Sequence, residues 1–303
     1  LSFICSLLGN VSTIKHSAKD LSTKIRLLCG TMNYSINTYE KTNKENQVYF
    51  KATFSTLEEN EQEALQLLVE ILQESVFDQE KMIRDILKQR IIFLKQAITM
   101  SGHSLSMKRV LAMVSSSGVI DEYSSGIAYY KWLKELDDHF DFVALKQKLE
   151  SVYQNVCFYN RLTLSFTGND DTNLEKQALY LKETLKISDA LEKAIIKPFS
   201  IKKEGIIIPS DIAYASKGGY LLETSKITPL ASNIISLAYL WNVVRVQGGA
   251  YGTGLVSRAS GFTCCYSYRD PNGKESLKKY EKCGTFLKDY WHTFRINATY
   301  DAL

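Results

Sequence analysis

The sequence predicts an α+β protein made of two related units, each an antiparallel sheet with helices packed on one face. Three observations lead there. An order of helix, glycine, strand, strand and helix runs from Ser17 to Gln73 and returns from Pro229 to Tyr290. Alternation of Val48, Phe50, Ala52 and Phe54 with Tyr49, Lys51 and Thr53 marks a strand with one apolar face. Apolar stripes at helical spacing, such as Ala64, Leu67, Leu68, Ile71 and Leu72, mark helices that must bury one side.

The elements follow in order. Apolar positions at Leu21, Ile25 and Leu28, with Ser17 or Asp20 as caps, predict a helix over 17–28. Beyond Cys29-Gly30 the polar, β-prone stretch from Thr31 to Tyr39 leads through an Asn/Lys/Glu-rich turn to the strand over 47–54. Helices are expected over 57–73 and 78–99, the second presenting Ile83, Ile86, Leu87, Ile91 and Leu94. Three more are expected at 104–114, 127–136 and 142–154. Leu162, Leu164 and Phe166 alternate in a predicted strand over 161–167, and Gly168-Asn169-Asp170-Asp171 reads as a turn. The charged stretch from 173 to 197 reads as a mostly helical connector.

A second unit begins near Ile201. A strand is predicted over 205–215, interrupted by Pro209 and so at an edge or bulge. Pro229 opens a long apolar helix to Val244, since proline is tolerated in the first turn. The bend Gly248-Gly249-Ala250-Tyr251-Gly252 ends it. Strands over 254–257 and 261–268, a turn at Asp270-Pro271-Asn272-Gly273 and a helix over 274–290 complete the unit. The domain expectation is 1–170, a connector over 171–200, and 201–303.

At 303 residues, two domains are the natural division. Hydrophobic residues at 45% and charged residues at 23% describe an ordinary globular protein. A formal net charge of +4, without a concentrated basic stripe, excludes nucleic acid as the expected partner. No run approaches the roughly 18–20 apolar residues of a membrane span. The opening Leu-Ser-Phe-Ile-Cys-Ser-Leu-Leu has no basic residues before it and no initiator Met, so a cut into a longer polypeptide is expected. Six cysteines, none in a C-x-x-C pair, are expected as free buried thiols.

Metal chemistry finds no motif. His16, His103, His139 and His292 are far apart, and none belongs to H-E-x-x-H or H-x-x-E-H, where two histidines one helical turn apart share a zinc-binding face. A G-x-S-x-G elbow is absent, and Cys264 and Cys265 lie in a strand, a poor setting for a thiolate. The run Gly-Gly-Ala-Tyr-Gly-Thr-Gly follows a helix and opens a strand, the reverse of a phosphate loop. What remains is a tight bend carrying a phenol, with Arg245 just before it. Gly248, Gly249 and Gly252 are expected to take backbone angles other residues resist. Arg269 and Asp270 can pair with each other on the surface.

Val244-Arg245-Val246-Gln247-Gly248-Gly249-Ala250-Tyr251-Gly252, followed by Ser267-Tyr268-Arg269-Asp270-Pro271-Asn272, resembles the C-terminal half of the presequence proteases. These are inverted-zincin peptidases of the pitrilysin/insulinase clan. Leu7-Leu8-Gly9 before the Ser17 helix, and Tyr49-Phe50-Lys51-Ala52 leading into a long helix, are similar to the third homologous domain of that family. The resemblance implies an insulinase-like fold, with 1–170 as the third domain lacking its first strand and 201–303 as an incomplete fourth. It also implies that this chain is a chamber-forming, substrate-binding half without metal, and that zinc sits in a missing N-terminal half, its partner. Unfolded oligopeptides are the implied substrate class, and bacterial cytoplasm, or else an organellar matrix, the implied location. By position, Arg245 anchors the substrate backbone, Tyr251 hydrogen-bonds the scissile carbonyl or oxyanion, and Gly248, Gly249 and Gly252 shape the binding bend. The alternative is a catalytically silent structural or peptide-binding relative of the same clan.

Overall fold

Ser17 Oγ accepts a hydrogen bond from the Asp20 N–H at 3.2 Å, so the predicted cap opens helix α2 (Ala18–Leu28), which follows a short α1 (Ser2–Leu7). The computed structural model describes residues 1–40, 46–168, 173–188, 195–221 and 225–300, with side chains described as far as 292. Residues 169–171 of the expected turn, and residues 171–172 and 189–194 of the connector over 171–200, lie outside the described residues. The chain divides into two compact units: residues 1–37, 48–92 and 131–195, and residues 38–47, 93–130 and 196–303.

In the first unit, strands β1 (Cys29–Glu40) and β2 (Asn46–Thr56), each continuing a few residues beyond the unit, pair with one another. Phe50, Ala52 and Phe54 are half-buried while Tyr49, Lys51 and Thr53 are exposed, as the alternation requires. Val48, at the start of the run, is exposed. A turn of 3₁₀ helix at Glu58–Asn60 leads into α3 (Glu61–Glu74), which buries Ala64, Leu67, Leu68 and Ile71. Leu65 and Val69 of α3 pack against Leu181 and Leu185 at the end of α9. The helices α4 (Glu80–Met100), α7 (Ile127–Asp138), α8 (Phe142–Tyr153) and α9 (Leu174–Thr184) match predicted stretches. The Tyr153 hydroxyl donates to Ile71 O at 2.7 Å and accepts from the Ser75 N–H at 2.9 Å, fastening α8 to the end of α3.

The strand expected over 161–167 does not form. A 3₁₀ turn (Tyr159–Arg161) is followed by irregular chain with Leu162 and Leu164 exposed. A strand needs a neighbour to take its N–H and C=O groups, and among the described residues none pairs with this stretch.

In the second unit, β3 (Ala213–Tyr220), β4 (Gly252–Ser257) and β5 (Phe262–Asp270) form an antiparallel sheet in the order β3-β5-β4. The strand expected over 205–215 is displaced toward the C-terminus. Pro209 has no N–H for a ladder, Ile207 is fully exposed, and regular pairing starts at Ala213, with a register shift before Ala215. Gly218 lies so close to Thr263 O and the Cys264 backbone that any side chain would collide with β5.

Pro229 sits in the first turn of α10 (Thr228–Ile234), as predicted. The helix then continues as a π-helix over Ile235–Val246, a form the sequence does not suggest. Its Ile235, Leu240 and Val244 pack with Ala250, Cys265, Tyr280 and Cys283 on one face of the sheet. Across the sheet, Phe262 and Cys264 pack on Leu111 of α5 (Gly102–Ala112). Residues 93–130, assigned by sequence to the first domain, thus belong to the same compact unit as 196–303. Helix α6 (Ser116–Ser125) lies between two expected helices, in a stretch for which none is predicted; Ser115 Oγ caps it by accepting from the Ser117 N–H. The single helix expected over 274–290 is two, α11 (Gly273–Tyr280) and α12 (Cys283–Tyr300). The break at Glu281-Lys282 lets Tyr280 and Cys283 both reach the core.

Candidate functional site

The bend between the π-helix and β4 is held mainly by backbone hydrogen bonds. Gly249 N–H donates to Arg245 O at 2.9 Å, Ala250 N–H to Val244 O at 3.2 Å, and Tyr251 N–H to Tyr268 O at 3.0 Å. Asn272 Nδ2 donates to Gly248 O at 2.9 Å, tying the start of α11 to the same bend. Ala250 is buried in the core while Tyr251, next in sequence, is 66% exposed. One side chain anchors the bend and its neighbour is thrown outward.

The glycines differ in what they contribute. Gly249 has φ +81°, the left-handed region that other residues resist. Gly248 is needed for space, because an added Cβ would fall 2.5 Å from Val244 O. Gly252 needs neither, since a Cβ there would make ordinary contacts of 3.6 Å and more with Tyr268. The expectation that all three supply unusual backbone angles therefore holds for Gly249 alone.

Arg245 is half-buried and turned toward its own chain. Its Nη1 donates to Tyr251 O at 2.7 Å, and its guanidinium carbon lies 4.1 Å from the Trp241 ring centroid and 5.4 Å from that of Tyr251. The Tyr251 ring meets Tyr268 edge-on, with centroids 5.8 Å apart. Behind Tyr268 stand His103 at 4.9 Å and Tyr214 at 5.8 Å, and Tyr266 lies 5.5 Å from His103. Burial lowers the His103 pKa from its ordinary value. By sequence His103 is an isolated histidine. Only the fold brings 103, 214, 266 and 268 together, and no spacing in the sequence signals it.

Arg269 and Asp270 do not form the surface pair considered for them. Arg269, at φ +48°, lies over the Tyr268 ring, whereas Asp270 is fully buried and accepts from the Asn272 N–H at 2.8 Å.

No zinc site fits these residues. His16 Nδ1 meets Glu70 Oε1 at 2.7 Å, His103 sits among tyrosines, and His139 and His292 are exposed. Among the described residues no three His, Cys, Asp or Glu side chains converge. Thiol chemistry fares no better. Burial pushes the Cys264 thiol up to about 12. The Cys265 thiol is raised by its hydrogen bond with Cys283 and by burial, the two sulfurs lying 3.8 Å apart. What the bend offers chemically is a hydrogen-bond donor, the phenol of Tyr251, on a backbone fixed from three sides.

The family model for the associated region of M16 peptidases, subfamily C, matches residues 1–136. That of the PreP C-terminal domain matches 203–300, a range that includes the whole bend. The protein HypA of Clostridium perfringens is 27% identical over 298 residues, covering 96% of this chain and 31% of that protein. The chloroplastic/mitochondrial presequence protease 1 of Arabidopsis thaliana is 27% identical over 228 residues, covering 72% of this chain and 21% of its own length. The mitochondrial presequence protease of Drosophila melanogaster is 21% identical, covering 95% and 29%. The chain thus spans about a third or less of the relatives it matches. In fold it is similar to the periplasmic protease PqqL of Escherichia coli, with a TM-score of 0.51 at 13% identity, covering 94% of this chain and 31% of that one. Pitrilysin matches with a TM-score of 0.50 at 13% identity, covering 97% and 31%. No helix among the described residues is long and apolar enough to cross a membrane. Together these matches support a C-terminal half of an M16 peptidase, similar to that of the presequence proteases.

Proposed function

We propose that this chain is the substrate-holding, chamber-forming half of a zinc metalloendopeptidase acting on unfolded oligopeptides. On this reading 1–170 and 201–303 are its third and fourth homologous domains. The observation that carries the reading is Tyr251, a phenol 66% exposed at a bend whose backbone is otherwise locked. Zinc would be held by the N-terminal half, where it supplies Lewis acidity and an activated water. The part of this chain is binding and orientation. The Tyr251 hydroxyl donates to the scissile carbonyl and more strongly to the oxyanion that develops from it. A donor fixed in advance needs no reorganisation during reaction, and loss of one such donor costs about 2.7–4 kcal/mol in a well-studied enzyme. Gly248 and Gly249 let the backbone take the path that presents the phenol. The relatives named as mitochondrial or chloroplastic fit an organellar setting, and the Clostridium relative fits a bacterial one.

Mixing this polypeptide with a half bearing H-x-x-E-H, and following cleavage of a quenched peptide, tests the proposal. Activity is expected in the mixture and not in this chain alone. Tyr251→Phe is expected to lower kcat by about one to three orders of magnitude. An active mixture in which Tyr251→Phe equals the wild type removes Tyr251 from the chemistry. A mixture that binds peptide without cleaving it instead identifies a catalytically silent relative.

A further inference from the structure

We infer that Trp241 is a positioning residue for Tyr251, acting through Arg245; this rests on the reading of Tyr251 as the donor to substrate. Trp241 lies in the π-helix and is 41% exposed, so its ring covers something at the surface instead of filling the core. What it covers is the guanidinium of Arg245, 4.1 Å from the ring centroid. A cation within about 6 Å of an aromatic face is attracted to it, and Trp is the strongest such partner. The same guanidinium donates to Tyr251 O at 2.7 Å. Indole, guanidinium and carbonyl form one chain of contacts from the helix to the residue that presents the phenol.

The other anchors of the bend are backbone groups on Gly248, Gly249, Ala250 and the Tyr251 N–H. Arg245 reaches the Tyr251 carbonyl, which begins the peptide leading into β4. Arg245 is a long side chain with many rotamers, and ordering it has an entropic cost. A flat indole limits that freedom before substrate arrives. Arg245 in this position fixes the direction of Tyr251, a role distinct from anchoring the substrate backbone. The two roles differ in kinetics. An anchor for substrate shows in KM, whereas a group that aims an oxyanion donor shows in kcat.

The test uses the two-half mixture with Trp241→Leu, Trp241→Phe and Arg245→Lys, and a fluorotyrosine at position 251 as a reporter. Trp241→Leu is expected to lower kcat about tenfold with KM within about twofold, and to shift and broaden the fluorine resonance. Trp241→Phe, which keeps an aromatic face, is expected to recover most of both. Arg245→Lys is expected to behave as Trp241→Leu does, because an ammonium has no planar face to stack. An unchanged resonance in Trp241→Leu overturns the inference, as does an Arg245→Lys variant that raises KM and leaves the resonance in place. If Trp241→Leu loses its far-ultraviolet helical signal, Arg245→Lys decides alone. If Tyr251→Phe leaves kcat unchanged, the proposed function falls, while the resonance still reports whether Trp241 and Arg245 hold the bend.

Discussion

At the Phe262 end of β5, the face toward α5 is closed: Phe262 and Cys264 pack on Leu111, with Met107, Val110 and Val114 around them. At the Tyr268 end of the same face, Tyr266, Tyr268, Tyr214 and His103 form a cluster of half-buried rings, and exposed Tyr251 rests edge-on against Tyr268. Pairing with both neighbours is regular from Phe262 to Ser267, and the register against β3 shifts at the Tyr268 end. Composition changes as well, from groups that exclude water to rings carrying a polar tip. One end of the strand therefore contributes stability, and the other carries an exposed phenol at the surface.

The contrast can be broken most sharply at Phe262. Phe262→Ala is expected to cost about 3–5 kcal/mol in urea unfolding, as for other large-to-small changes in closed cores. A cost near zero would mean that this end is not the structural one. Gly249→Ala comes next. Forcing a Cβ into the left-handed region is expected to cost about 1–2 kcal/mol, measured the same way.

His103 sharpens the comparison through pH. Burial disfavours its charged form, so its folded pKa lies below the ordinary value of about 6.5. Between the folded and ordinary values the unfolded chain binds more protons, so stability rises with pH across that window and is lowest on the acid side. His103→Asn is expected to flatten the slope seen below about pH 6.5 in thermal melts. An unaltered slope would place the acid sensitivity elsewhere. The smallest effect is expected from Tyr251→Phe on stability. An exposed hydroxyl with no structural role changes unfolding free energy by no more than about 0.5 kcal/mol, whatever it does to catalysis. A larger change would give Tyr251 a structural role and blur the two ends.

The readable parts of the molecule are those where local chemistry and tertiary packing agree. Ser17 caps α2, the stripe of α3 is buried, and Pro229 starts α10, because each depends on neighbours within one or two turns. The bend is readable for the same reason, with Arg245 and Tyr251 only 6 residues apart. Leu162, Leu164 and Phe166 show the limit, since alternation predicts a face but not the partner strand that must complete it. Ser115 and Gly118 show another. No helix is predicted there, yet Gly118 is buried so tightly against the backbone at Leu111 that only glycine fits, and it lies within α6. Likewise His103, far from Tyr268 in sequence, acquires its surroundings only when α5 lies on the sheet. The inward turn of Arg245 depends on the winding of the helix that precedes it, and no residue type announces that winding.

That winding has a consequence for which genetic changes the segment tolerates. Hydrogen bonds that skip five residues, as from the Gln247 N–H to Asn242 O, hold one more residue per ring than an α-helix does. Deleting a single residue between 235 and 241 would allow a return to ordinary winding and rotate all that follows by about 100°. Indole, guanidinium and bend would then turn together relative to the start of the helix, although every residue of the motif was still present. Among natural relatives that cleave peptides, insertions and deletions are therefore expected to be rarer in this stretch than substitutions.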